Sequence, residues 1–424
     1  MVAVTPSESE TLPLSRSEAE SDVLVLDAQT LKDLEIFKSE TGEASLFEFC
    51  DLTRTRGGSK ALRRRMEVPW SNADCIRATQ ESLSFILAHR HAFTELPSAY
   101  ATSRVQHYAD AVLPIVIHSN LLEFSLGAFS LWANHDTHYL SIVRGVQVTC
   151  RLIRALRHFV NQTELALPDG ELAPLIDEIR ALLTRPGLSQ VPDQEIGGWA
   201  FRTLRLDQTF RLYEKVAIAR LLQLIYETDA LVAMADVTAK YGFVLPLTGE
   251  GGLRVHAEGL VHPFVENATA NAVELDQSRR LLFLTGPNMA GKTTYLRAFA
   301  TALYLAHLGM GVAAGSFRFV PAQRLFSSIS LHDDLRNGVS YFRAEALRVK
   351  AIAQAIAEGY RVVAILDEPF KGTNVKDALD ASLAILERFA ARRDCLFMFS
   401  SHLIELSERL SSTGQIDCRY FEAE

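Results

Sequence analysis

From Val23 to about Gly242 the chain repeats Leu, Ile, Ala and Phe at three-to-four spacing, and β-rich runs are few. That spacing lines one face of a helix, so the stretch predicts an all-α region. The longest pattern runs from Leu204 to Tyr241, where Leu212, Val216, Ala219, Leu222, Ile225, Ala230, Met234 and Val237 drift around one face. It fits either one lever-like arm or two shorter helices of a bundle. Ala166-Leu167-Pro168-Asp169-Gly170 and Arg185-Pro186-Gly187 read as turns between helical pieces. Around Gly242 the pattern changes to short apolar runs: Phe243 to Pro246, Leu253 to Val255, Leu281 to Leu284, Ser316 to Val320, Leu325 to Ser330, Val362 to Leu366 and Cys395 to Phe399. Continuous runs of this kind suit buried parallel strands. They place a domain boundary near residue 243, with a helical domain over 23–242 and a mostly parallel α/β domain over 243–424.

Composition narrows the class. The 424 residues are 48% hydrophobic and 22% charged, an ordinary globular balance with room for two or three domains. The formal net charge of −8 argues against broad non-specific binding of nucleic acid and leaves only a local patch for it. One cluster qualifies: Arg54, Arg56, Lys60, Arg63, Arg64 and Arg65. It is either a phosphate-contacting patch or a solvated helix face after a Gly57-Gly58 turn, since no base-reading side chains are interleaved. Five scattered cysteines without a C-x-x-C pair point to reduced thiols in a cytoplasmic protein and to no zinc site. The longest membrane-span candidate, Ala111 to Trp132, is broken by Pro114, His118, Asn120 and Glu123. Met1 to Asp22, rich in Ser and Glu, reads as a disordered leader.

The chemistry concentrates in the second half. Leu281 to Leu284 precede Thr285-Gly286-Pro287-Asn288-Met289-Ala290-Gly291-Lys292-Thr293-Thr294, in which Gly286 to Thr293 fits G-x-x-x-x-G-K-[ST]. Strand, glycine-bounded loop and helix form the context of a P-loop. Curled backbone N–H groups and the helix N-terminus attract phosphate, Lys292 reaches the β- and γ-phosphates, and the Thr293 hydroxyl holds Mg²⁺. Asp367 and Glu368 close a second apolar strand, 75 residues after Lys292. Asp367 is expected to hold the Mg²⁺ of a bound ATP, and Glu368 to polarise the attacking water. Ser400-Ser401-His402 closes a third strand, where His402 either senses the γ-phosphate or is structural.

These elements resemble the MutS family, the ATPases of DNA mismatch repair, and through it the wider ABC-type ATPases. The loop from Thr285 to Arg297 is close to the family signature, including a Pro287-Asn288-Met289 that phosphate binding alone does not require. Asp333-Asp334, Asn337 to Phe342 and Glu345 resemble its ABC-style signature segment, whose serine completes the partner's ATP site. Asp367 to Asn374 resembles Walker B and its following loop, and Ser401-His402 the Thr-His switch. His262-Pro263, Ala230 to Tyr241 and Leu46 to Pro69 carry weaker likeness upstream. The sequence departs from repair MutS in several places. No mismatch-reading or connector domain is expected before Leu26, and the DNA-gripping clamp is expected to be reduced. No nuclease domain is expected after His402. Phe370-Lys371 replaces Gly-Arg, Asn374 replaces a serine, and Ala268 falls where an adenine-stacking aromatic would align.

The resemblance implies an α/β P-loop ATPase domain of ABC/MutS type preceded by an all-α core or lever. It also implies a homodimer whose composite sites take Gly286 to Thr294, Asp367, Glu368 and His402 from one copy and Ser340, in trans, from the other. ATP and Mg²⁺ are the expected ligands. DNA is the expected partner of an ATP-driven grip, and an ATP-driven switch acting through protein partners is the alternative. Loss of hydrolysis is disfavoured by the intact Lys292, Thr293, Asp367 and Glu368.

Overall fold

A computed structural model describes residues 22–422 except 40–41, 118–119, 135, 163–166, 168, 197–199, 288, 330–340, 371–373 and 411–413. The chain forms two compact units and crosses between them four times. One comprises residues up to Leu46, Glu67–Ile76 and Gly242–Glu424, and the other Phe47–Met66 and Arg77–Tyr241. The helical region expected over 23–242 therefore does not stay together. Its first stretch, with β1 (Val25–Leu26) and α1 (Ala28–Asp33), belongs to the α/β unit. The helical pattern of α1 carries no mark of this, because its bonding partners Ser327 and Ile329 lie 297 and 296 residues further along.

The helical unit is built from α2 (Arg56–Glu67), α3 (Ala73–Ala88), α4 (Ala99–Asp110), α5 (Leu121–Asn134), α6 (Asp136–Gln162), α7 (Leu172–Leu183), α8 (Ala200–Gln208) and α9 (Lys215–Lys240). The 204–241 pattern resolves into two helices, not one lever. After α8 the chain widens into a π-helical turn at Thr209–Tyr213 and breaks at Glu214. Inside that turn the buried Arg211 folds back onto Asp207, four residues earlier, at 2.6 Å. α9 then buries Leu221, Leu224, Ile225, Leu231, Met234 and Val237, faces all round the helix. Gly57-Gly58 is no turn but the opening of α2. A Cβ on Gly58 would sit 2.1 Å from the carboxylate of Asp229. That carboxylate accepts from the backbone N–H of Arg54 (3.1 Å) and of Thr55 (2.9 Å), and from the Thr55 hydroxyl (2.7 Å). It does the work of an N-cap from α9.

The basic cluster is largely consumed inside this unit. Arg64 and Arg65 pair with Glu227, Arg65 also with Glu171 at 2.5 Å, Arg54 donates to the Phe93 carbonyl, and Arg63 lies over the Phe47 ring.

The α/β unit holds two sheets. Its strands are β1, β2 (Leu247–Thr248), β3 (Val255–Leu260), β4 (Asn271–Leu275), β5 (Leu281–Thr285), β6 (Ser316–Phe319), β7 (Arg324–Ser328), β8 (Val362–Asp367), β9 (Cys395–Ser400) and β10 (Ile416–Tyr420). Six strands pair in parallel in the order β1-β7-β8-β9-β5-β10, and four form a mixed sheet β2-β6-β3-β4. The central strands are apolar throughout because both faces are covered. Helices α10 (Lys292–His307), α11 (Tyr341–Ala357) and α12 (Val375–Ala390) pack against them, followed by α13 (Ile404–Leu410). Phe283, Phe397 and Phe399 share a core with Ile352, Leu386 and Leu406. Of Phe243 to Pro246, only Val244 makes a β-bridge, to Val312.

α1 is fixed to the sheet by polar bonds. Asp27 caps it through the Thr30 N–H, and the Thr30 hydroxyl accepts the Ser327 N–H (3.0 Å). Asp33 accepts from Ser327 Oγ (2.7 Å) and Ile329 N–H (2.9 Å), and Arg348 of α11 bonds both Asp27 and Thr30. Among the described residues no helix is long and apolar enough to cross a membrane, and none of the five cysteines is in a disulfide.

Candidate functional site

The parallel order puts the C-terminal ends of β5, β8 and β9 side by side, the edge at which open α/β sheets gather ligands. From β5 the chain turns through Gly286 (φ +142°), Met289 (φ +71°) and Gly291 (φ +85°) into α10, which starts at Lys292. Gly286 has no alternative here: a Cβ would lie 2.2 Å from the Phe421 carbonyl oxygen. Pro287 and Met289 are exposed, and Asn288 lies outside the described residues. The Lys292 side chain is 5% exposed, and its ammonium donates to the carbonyls of Gly286 (2.6 Å) and Pro287 (2.9 Å).

Two carboxylates converge on this loop. The Thr293 hydroxyl donates to Asp367 Oδ2 at 2.6 Å, and the Ser400 hydroxyl donates to Asp367 Oδ1. Glu368 is held in the left-handed region (φ +45°), with its N–H shared between Ser400 Oγ (3.0 Å) and the Ser400 carbonyl (3.1 Å). A non-glycine residue kept there costs on the order of 1 kcal/mol and marks a position that the surroundings impose. The Glu368 carboxylate, 12% exposed, stands 3.8 Å from Lys292 Nζ and 3.9 Å from His402 Nδ1. Ser400 is the residue that sequence reasoning passed over. One hydroxyl donates to one acid while accepting from the backbone of the next, so it sets the angle between the two. Its only sequence signal is its place at the end of an apolar strand.

Thr293, Asp367, Glu368, Lys292 and His402 are thus brought together. Thr294 instead borders a cleft of about 480 Å³ on the other side of the loop, with Met289, Ala290 and Gly291. Ala268 lines that cleft, and no aromatic stands at its position. Rings come from elsewhere: His262, Tyr295, Tyr420 and Phe421. Tyr295 lies 5.4 Å from Phe421 and donates to the Ala272 carbonyl at 2.7 Å, and burial pushes its phenol up to about 12. Burial, then the Arg297 cation, press His262 down to about 4, so it is neutral at pH 7 and accepts the Phe264 N–H on Nδ1. Asn374 caps α12 by accepting the Asp377 N–H at 2.9 Å, and Phe370 is buried. Ser340, Asp333-Asp334 and Asn337 to Val339 lie outside the described residues, as do Lys371 to Thr373.

The donor set suits a hard cation. A hydroxyl and a carboxylate lie together, and among the described residues no cluster of three or more His, Cys, Asp or Glu forms a cage. Mg²⁺ characteristically takes one or two carboxylates and completes its shell with water and phosphate. Residues 282–424 match the family described as MutS domain V.

Proposed function

We propose that this chain, a member of the MutS family through its residues 282–424, hydrolyses ATP at the end of β5, β8 and β9 and uses that cycle to change its grip on DNA. Proteins of this family act as dimers on DNA. The observation that carries the reading is the Thr293–Asp367–Ser400–Glu368 chain of hydrogen bonds, closed against Lys292 and His402.

In this reading Gly286 to Thr293 is a P-loop. Its N–H groups and the α10 N-terminus receive the phosphates. Lys292 exchanges the carbonyls of Gly286 and Pro287 for phosphate oxygens. The nucleoside enters the cleft walled by His262, Tyr295 and Phe421. Thr293 and Asp367 would hold a Mg²⁺, which would supply charge neutralisation for the phosphates. Glu368 orients the attacking water and takes its proton, and His402, beside it, answers to the γ-phosphate. In a dimer, Ser340 of each copy completes the site of the other.

The test is steady-state ATP hydrolysis with plain, mismatched and branched DNA. Turnover should rise with one DNA form and vanish in Lys292→Ala. Glu368→Gln should keep nucleotide binding and lose at least ~100-fold in rate, the usual contribution of a general base. A second reading, a switch acting through protein partners, is favoured by the net charge of −8 and the internal pairing of Arg64 and Arg65. Turnover indifferent to every DNA would select it.

A further inference from the structure

The helical unit contains a second cavity, of about 650 Å³, between α4 and α6. Its lining carries Arg104 and His107 from α4, Arg144 and Arg151 from α6, and no acid. Helical spacing explains the arrangement. Residues 100, 104 and 107 share one face of α4, and 144, 148 and 151 one face of α6. Arg144 and Arg151 are two turns apart, about 10 Å along the axis.

These cations differ from the Arg54–Arg65 cluster. Among the described residues neither Arg104 nor Arg144 has a carboxylate partner. Arg151 has only a loose one, Glu195 at 3.9 Å, with both side chains more than half exposed. The buried Arg211, whose guanidinium stacks on Tyr108, is neutralised by Asp207 and bonded to the carbonyls of Leu113 and Pro114. The uncompensated charge therefore stays at the cavity. Tyr100, 63% exposed, adds an aromatic face with the Arg104 guanidinium 5.2 Å from its centre.

We propose that this groove binds single-stranded DNA, with Arg104, Arg144 and Arg151 on successive phosphates and Tyr100 stacked on a base. A cationic channel with an aromatic platform is how single strands are held without sequence preference. The exposed Tyr100 ring favours a single strand over a duplex, because only unpaired bases offer a face to stack on. The inference rests on the DNA-binding reading above and assigns it a location and a strand form.

The experiment is fluorescence anisotropy of the full chain with a labelled oligo-dT, repeated over a range of salt concentrations. The triple charge reversal Arg104→Glu, Arg144→Glu, Arg151→Glu should weaken binding at least ~tenfold. It should also flatten the log–log salt slope by roughly 2, at about 0.7 for each phosphate that is no longer neutralised. Tyr100→Ala should weaken binding about tenfold with the slope unchanged, since stacking releases no counterions. Arg64→Glu should bind like the wild type. The single variant Arg144→Gln, with a melting curve, guards against a misfolded triple mutant. If the wild type binds oligo-dT and the groove variants bind it equally well, the groove assignment falls and the DNA reading stands. If the wild type binds no nucleic acid of any form, both fall. Equal affinity for duplex, or competition by free dTMP at matched nucleotide concentration, would also overturn the assignment.

Discussion

His307 ends α10 and offers a direct measure of how the α/β unit is held together. Its ring is fully buried. Nδ1–H donates to the Leu303 carbonyl at 2.7 Å, and Nε2 accepts the Ala322 N–H at 2.9 Å. Both partners demand the neutral imidazole: a second proton on Nε2 would face an N–H. Burial accordingly presses the group down to about 4. The unfolded chain takes up a proton near 6.5 that the folded chain refuses. The stabilisation is therefore complete above about pH 6.5 and is lost as pH falls towards 4. At about 1.36 kcal/mol per pH unit the full effect is about 3 kcal/mol, with a local slope of about 1.2 kcal/mol per unit at pH 5. His307→Gln keeps a donor and an acceptor but does not titrate. Urea unfolding of both proteins, between about pH 7 and pH 4.5, cancels the carboxylates and His262 that they share. The stability gap should shift in the variant's favour by about 2.4 kcal/mol over this window. Parallel curves would refute the argument, because they would mean that His307 takes its proton inside the fold.

Gly286→Ala drives a methyl into the Phe421 carbonyl and should abolish ATP binding while lowering stability by about 2 kcal/mol, checked by nucleotide titration and a melting curve. Thr293→Val removes the hydroxyl on Asp367 and should raise the Mg²⁺ concentration needed for half-maximal turnover by at least ~tenfold, read from a Mg²⁺ titration. Chelation with EDTA should stop the wild type. Asp229→Ala leaves two backbone N–H groups and the Thr55 hydroxyl without their acceptor and should cost about 3–5 kcal/mol, with amide exchange at Thr55 accelerated first.

The strands of the parallel sheet were legible because each is a continuous apolar run, Leu281 to Leu284, Val362 to Leu366 and Cys395 to Phe399, ending in chemically distinctive residues. Their juxtaposition followed from one rule, that parallel strands end together. What escaped the sequence depends on pairings between distant segments. β1 is two residues long, β4 (Asn271–Leu275) and β10 (Ile416–Tyr420) mix polar and apolar positions, and none announces a strand. The break at Thr209–Glu214 lies within an unbroken helical period, so the spacing of apolar residues carries no mark of it. The basic cluster looked available because its acids, Glu171 and Glu227, lie 106 and 163 residues downstream of Arg65 and Arg64. The rings of the cleft come from His262, Tyr295, Tyr420 and Phe421, four positions in three separate segments, and not from Ala268.

The pairing of Val25 with Arg324 sets a timetable for biosynthesis. A ribosome adds about 5–20 residues per second, so β1 and the polar face of α1 wait roughly 15–60 s for β7, and longer for Arg348. During that interval the whole helical unit is made and can fold, while Asp27, Thr30 and Asp33 have no sheet to dock against. The nascent chain thus carries an unpaired strand edge ahead of a finished helical body. Translation that stalls before β7 leaves that edge exposed, and slow codons after β7 give it time to close before the rest of the parallel sheet emerges.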